Sequence, residues 1–258
     1  MKWTKSFLPA VAVSAAFAFA ALPPASAAET LKVGADPDFK PISFADPSGK
    51  LIGFDPDFAA SLAEHMGATL DYQGVAWDGI LPALQGGKID AITNMVVTDK
   101  RKEVASFSQP ILAQAITTVV RKDEANLNPK LDDLKSMKVG VMVNTAAAGV
   151  VAKLAGADVT TYNTVADEYQ DLILGRIDVV AIESVNGSYT AKATYPDKLR
   201  VTGVPLTPDA QKIAVAMRLG DKDLVAKVDH AIDAMRADGS LDKIAVKWFG
   251  DTKIVARP

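Results

Sequence analysis

The sequence predicts an α/β protein assembled from two neighbouring sets of alternating strands and helices. Short apolar runs of strand length alternate with segments whose apolar residues recur at helical spacing. The alternation breaks at a polar stretch over residues 122–130 and then begins again. Each set calls for a mostly parallel sheet with helices on both faces, and in such sheets ligands bind beyond the carboxyl ends of the strands.

The first 27 residues read as an export leader. Lys2 and Lys5 give a positive start, residues 7–22 are almost wholly apolar, and Ala25-Ser26-Ala27 supplies the small-x-small pattern a signal peptidase requires. The apolar run is shorter than the roughly 20 residues of a membrane span.

Residues 31–35 form the first expected strand. Asp55 is placed to cap a helix in which Phe58, Leu62 and Met66 recur every fourth residue, with Gly67 as its stop. A strand over 69–75, a short helix over 81–84 ended by Gly86 and Gly87, and an apolar strand over 89–93 follow. Thr98 opens another short helix, and residues 117–121 are strand-like. The second set has strands over 138–143, 159–162 and 179–182. Its helices run over 145–154 and 184–194, with a third whose inner face is Ala166, Tyr169, Leu172 and Ile173. Residues 199–202 and a strand over 213–217 lead to two closing helices. One carries Val225, Val228, Ile232 and Met235 on a single face; the other, over 241–249, turns Leu241, Ile244, Ala245 and Trp248 inward.

The 258 residues include 28 Lys and Arg against 31 Asp and Glu, a net charge of −3. This mildly acidic balance argues against nucleic acid and anionic membranes as partners. With no cysteine, the chain has no disulfide, no thiol nucleophile, no cysteine metal site and no cysteine after the leader to carry a lipid. A periplasmic protein without a lipid anchor is expected. His65 and His230, the only histidines, fall on separate helix surfaces, so a Ser–His–Asp triad has no basis. No cluster has metal-ligand spacing, and Gly86-Gly87-Lys88 lacks the rest of a phosphate loop. Ser240-x-x-Lys243 places its serine where it caps the last helix. No catalytic residue, metal or cofactor is expected.

Five strings, in order, carry a family resemblance. They are Leu31-Lys32-Val33-Gly34-Ala35-Asp36 with Phe39-Lys40-Pro41-Ile42-Ser43-Phe44 behind it; Gly53-Phe54-Asp55-Pro56-Asp57-Phe58; residues 77–91, from Trp77-Asp78-Gly79 to Ile89-Asp90-Ala91; Thr98-Asp99-Lys100-Arg101-Lys102; and Ala237-Asp238-Gly239-Ser240-Leu241, closing in Lys247-Trp248-Phe249-Gly250. Together they resemble the periplasmic amino-acid-binding proteins of ABC importers. The resemblance implies a two-lobed periplasmic-binding-protein fold of type II, with two hinge strands and a ligand in the cleft. The first lobe would take residues 28–117 and 211–258, the second 118–210. The implied partners are an amino-acid-like small molecule and an inner-membrane ABC permease, and a monomer is expected.

The resemblance also assigns roles. The arginine of Thr98-x-x-Arg101 would grip a ligand carboxylate through two parallel charge-assisted bonds. Glu183 ends the apolar strand 179–182 and would meet a ligand ammonium; the family usually has the shorter aspartate there. Phe39 and Trp77 align with aromatic residues that sandwich the ligand side chain. Asp36 ends the first strand and would reach the side chain or ammonium. Thr145 and Ala146 open a helix whose free amides attract anions, and Asn94, Met95 and Val96 form the strand end opposite. Val96 and Ala146 stand where the family commonly has hydroxyl residues, and one residue is missing just before Asn94. With Met142 and Val143 also replacing more polar positions, the pocket reads as more apolar than usual, suited to a bulky hydrophobic ligand or one other than a standard α-amino acid.

Two other functions share this pattern. Cyclohexadienyl dehydratases resemble it through the same arginine and carry an acidic general acid just after the second-lobe strand. Asn186 occupies that position here, and an amide cannot deliver a proton as a carboxylic acid does. A ligand-sensing partner of a separate receptor is the third possibility.

Overall fold

The computed structural model describes residues 29–257, together with Met1 and Trp3. Those two positions apart, the leader expected over 1–27 lies outside the described residues. The first lobe opens with β1 (Thr30–Ala35) and a small antiparallel sheet of β2 (Asp38–Phe39), β3 (Ser43–Ala45) and β4 (Leu51–Ile52). It continues through α1 (Phe54–Met66), β5 (Thr69–Gly74), α2 (Trp77–Gln85), β6 (Ala91–Val96), α3 (Asp99–Lys102), β7 (Ala105–Phe107) and β8 (Leu112–Gln114). The chain then crosses as β9 (Ile116–Arg121). The second lobe holds β10 (Lys138–Met142), α4 (Ala146–Val151), β11 (Asp158–Tyr162), α5 (Val165–Ile173), β12 (Val179–Glu183), α6 (Ser184–Tyr189) and β13 (Leu199–Val201). A π-helical turn, Thr190–Thr194, extends α6. β14 (Gln211–Arg218) returns to the first lobe, followed by α7 (Lys222–Ala237) and α8 (Ser240–Phe249).

The first sheet has the order β5-β1-β6-β14-β7, with β8 also on β14; the second has β11-β10-β12-β9-β13. Both are mixed. In each, three strands run parallel, and the strand that crosses from the other lobe runs against them: β14 against β6, and β9 against β12. The right-handed βαβ units account for the parallel trio; a strand arriving from the opposite lobe enters from the far end and is antiparallel.

Phe58, Leu62, Ile232, Met235 and Leu241 pack α1, α7 and α8 with Val33, Val215 and Met217 of the first sheet, while Ile80 and Leu84 hold α2 beside Ile92 and Ala216. Tyr169 and Leu172 fasten α5 to Val180 and Ile182 of the second sheet. The inner face of α5 is Val165, Glu168, Tyr169 and Leu172; Ala166 faces solvent instead.

Helix α1 begins two residues earlier than an Asp55 cap implies. Gly53 is the N-cap, at φ 138°, and Asp55 lies inside the first turn, fully buried. Gly53 is required because a Cβ there would sit 2.2 Å from the Ile42 carbonyl oxygen. Gly53→Ala is therefore expected to cost about 2 kcal/mol or more, read as a lower denaturant midpoint.

Candidate functional site

Between the lobes lies a cavity of about 570 Å³ that opens to solvent. Eight of the expected residues line it: Asp36, Phe39, Trp77, Asn94, Val96 and Arg101 from the first lobe, Thr145 and Glu183 from the second. Asp36 follows β1, Asn94 and Val96 end β6, Thr145 follows β10 and Glu183 ends β12. The carboxyl ends of the parallel strands of both sheets thus converge on one space.

Arg101 is held in place before any ligand contact is considered. Thr98 caps α3, its side chain accepting from the Arg101 amide at 3.3 Å. The buried guanidinium donates from Nη1 to the Val96 carbonyl at 2.8 Å and from Nη2 across the cleft to the Asn144 carbonyl at 2.7 Å. Its central carbon lies 5.4 Å from the Trp77 ring centroid. Burial lowers its pKa and the Glu183 charge opposes that shift; guanidinium starts so high that it stays charged. Of its five N–H donors three remain, enough to grip a carboxylate in two places. The Trp77 face is thus engaged by Arg101.

Glu183 stands on the other wall, 5% exposed, with Oε2 buried and without a protein partner. Burial raises its pKa; its own backbone amide, the Arg101 charge and the amides of Ala147 and Ala146 pull the other way. Ala146 itself does not line the cavity. The anion-attracting start of α4, expected to meet a ligand carboxylate, also favours the charged form of the Glu183 side chain. Thr145 caps α4, accepting from the Ala148 amide at 3.1 Å.

The backbone of β6 is irregular where it borders the cavity. Its register against β14 shifts between Ala214 and Ala216, a bulge in which Thr93 and Asn94 together oppose Val215. Asn94 Nδ2 is left buried without a partner. The Met95 side chain is fully buried among Ile80, Leu84, Ile89 and Ile92 and does not line the cavity, because the bulge brings it onto the same apolar side as Ile92.

Burial pushes the Asp36 pKa up to about 6; the Asp38 amide, donating at 2.8 Å, opposes this, and the charges of Asp38 and Asp78 add to it. Asp55, expected only as a cap, also lines the cavity. Tyr72 Oη donates to Asp55 Oδ2 at 2.8 Å, and burial raises the Asp55 pKa to about 6 against the hydroxyls of Thr93 and Tyr72. Gln114 and Ser43 complete the polar wall. Three carboxyls therefore face one guanidinium, an environment suited to a zwitterion or a cation. The Gly-Phe-Asp string of α1 was the available signal for Asp55; nothing in the sequence pattern singled out Gln114, which sits where β8 crosses to β9 and accepts from the Val185 amide at 3.2 Å.

The chain matches the profile of the bacterial extracellular solute-binding proteins, family 3, over residues 31–251. It is 37% identical over 223 residues to the L-cystine-binding protein TcyJ of Escherichia coli strain K12, covering 86% of this chain and 83% of that protein. An ancestral arginine-binding protein bound to glutamine superposes with a TM-score of 0.80 at 33% identity, covering 88% of this chain and all of that one. An ancestral amino-acid-binding protein described as a precursor of cyclohexadienyl dehydratase superposes with a TM-score of 0.78 at 35% identity, covering 85% of this chain and 95% of that one.

Proposed function

Because the chain belongs to the bacterial extracellular solute-binding proteins of family 3, we propose that it captures an amino acid in the periplasm, by closure of its two lobes, and delivers it to an inner-membrane ABC permease. The observation that carries this reading is the placement of Arg101 and Glu183 on opposite walls of one cavity between the lobes. The three remaining guanidinium donors receive the ligand carboxylate, and the unpartnered Glu183 Oε2 receives its ammonium. Phe39 covers the space from the first lobe, and Asp36 supplies a second acceptor for a polar side chain.

Contacts drawn from both lobes are complete only when these meet, so the ligand shifts the population toward the closed form. Moving that equilibrium from 1:99 to 99:1 takes about 5.5 kcal/mol of differential affinity. Two charge-assisted pairs at about 1.5–3 kcal/mol each supply most of it.

Screening L-cystine, L-arginine, L-glutamine and apolar amino acids by thermal shift tests the proposal. At one hundred times its Kd a ligand stabilises by about 2.7 kcal/mol, a rise of about 5–10 °C for a protein of this size. A panel in which no amino acid moves the transition rejects the reading.

The likeness to a dehydratase precursor makes an enzyme the second reading. Asn186 argues against it. Its amide donates to the Lys40 carbonyl and accepts from Tyr169 Oη, and it does not line the cavity. The position that needs an acid is thus occupied by a group with no proton to give. Incubation with prephenate is expected to leave that substrate unchanged.

A further inference from the structure

We propose that Asn186 is a clasp that holds the crevice shut over the ligand, fastening the Phe39–Lys40 loop of the first lobe to the second. This rests on the reading of amino-acid capture by closure, and it assigns a residue that sets how long the ligand is retained.

Asn186 is 1% exposed, deep in the joint between the lobes. Its Nδ2 donates to the Lys40 carbonyl oxygen at 2.8 Å, across the crevice. Its Oδ1 accepts from the hydroxyl of Tyr169, itself 2% exposed, at 2.7 Å. The orientation of the amide follows from its neighbours. The Lys40 carbonyl can only accept, so the NH₂ group must face it and the oxygen must face the phenol.

Among the described residues, side-chain hydrogen bonds also join the lobes from Arg101 to the Asn144 carbonyl and, beside the crossover, from the Val185 amide to Gln114. Arg101 belongs to the ligand chemistry, whereas Asn186 lies outside the cavity lining. The loop it holds carries Phe39, which lines the cavity and packs on the second-lobe cluster of Met142, Tyr169 and Ile182. A buried amide is costly unless its bonds are made, and this one completes its bonds only when the lobes meet. Such a contact favours the closed form without touching ligand. Its loss acts on release, since a bond formed after encounter leaves capture unaffected.

The test uses the full protein and the variants Asn186→Ala, Asn186→Asp and Tyr169→Phe, with L-cystine and L-arginine as probes in stopped-flow tryptophan fluorescence. Asn186→Asp keeps size and the tyrosine's acceptor but sets an oxygen against the Lys40 carbonyl. Dissociation is expected to quicken about 5- to 10-fold in Asn186→Ala, by at least as much in Asn186→Asp, and about 2-fold in Tyr169→Phe, with association unchanged. Dissociation from Asn186→Asp at the native rate overturns the clasp, as does a slowing of association alone, which signals damage to the site. If neither probe binds the native protein, the thermal-shift panel decides the capture reading and a ligand-free measurement decides the clasp. The chain has no cysteine, so spin labels on cysteines introduced at the exposed Lys50 and Lys192 report lobe separation cleanly. Asn186→Asp is expected to shift that distribution to longer distances; identical distributions overturn the proposal.

Discussion

Arg101→Ala is expected to abolish detectable amino-acid binding in a protein that still folds. The substitution removes the only guanidinium that lines the cavity among the described residues, and with it the donors for the ligand carboxylate. It also leaves Glu183 facing Asp36 and Asp55 with no opposing charge. Truncating one partner of a buried, hydrogen-bonded charge pair costs about 2–5 kcal/mol, which is roughly 30- to 4,000-fold in Kd. Arg101→Lys is expected to recover little, because an ammonium cannot bridge the Val96 and Asn144 carbonyls and still present a two-pronged grip. Calorimetric titration with an amino acid that stabilises the native protein, alongside circular dichroism, measures both halves of the claim. Native affinity in a folded Arg101→Ala variant removes the residue from the site.

Glu168→Gln is expected to raise stability at alkaline pH and leave it nearly unchanged at acid pH. Glu168 is fully buried, and neither carboxyl oxygen has a partner. Burial raises its pKa well above the ordinary 4.5, and the Glu183 charge adds to the rise; Tyr162 and Tyr169 are its other titratable neighbours. The folded protein therefore keeps a proton that the unfolded chain releases from about pH 4.5 upward. Stability from this site is complete below that pH and falls as pH rises through the folded value. Glutamine carries no such proton, so the decline disappears. A higher melting temperature for the variant than for the native protein at pH 8, with the two equal near pH 4, is the expected result. Melting curves from pH 4 to 9 test this, and parallel curves for native and variant proteins reject it.

The sequence was most legible where apolar residues recur over long segments. The four-residue spacing of Phe58, Leu62 and Met66 located α1, and Val228, Ile232 and Met235 located α7. The strands of two or three residues, β2 to β4, β7 and β8, were missed because so short a run shows no alternation. Glu168 was missed for the opposite reason. It occupies a core position of α5, three residues after Val165, and a charged residue at that spacing reads as solvent-facing. In the site, Asp36 and Arg101 fall within the motif strings and Glu183 ends an apolar strand, and the fold brings all three to one cavity. The Met95 side chain turns into the core because of a bulge, a tertiary event that the strand pattern does not show. The Asn186 amide was legible as a missing acid, yet its bond to Lys40 depends on a partner 146 residues away.

The placement of β14 has a consequence for how the protein is made. This strand lies between β6 and β7, and its Val215 amide bonds Ser108 from 107 residues away. The second sheet draws all its strands from one continuous stretch, residues 116–201, and can assemble as soon as that stretch is synthesised. The first sheet has a gap at its centre until residues 211–218 emerge from the ribosome. Half of the molecule is thus barred from folding until nearly the whole chain has been made.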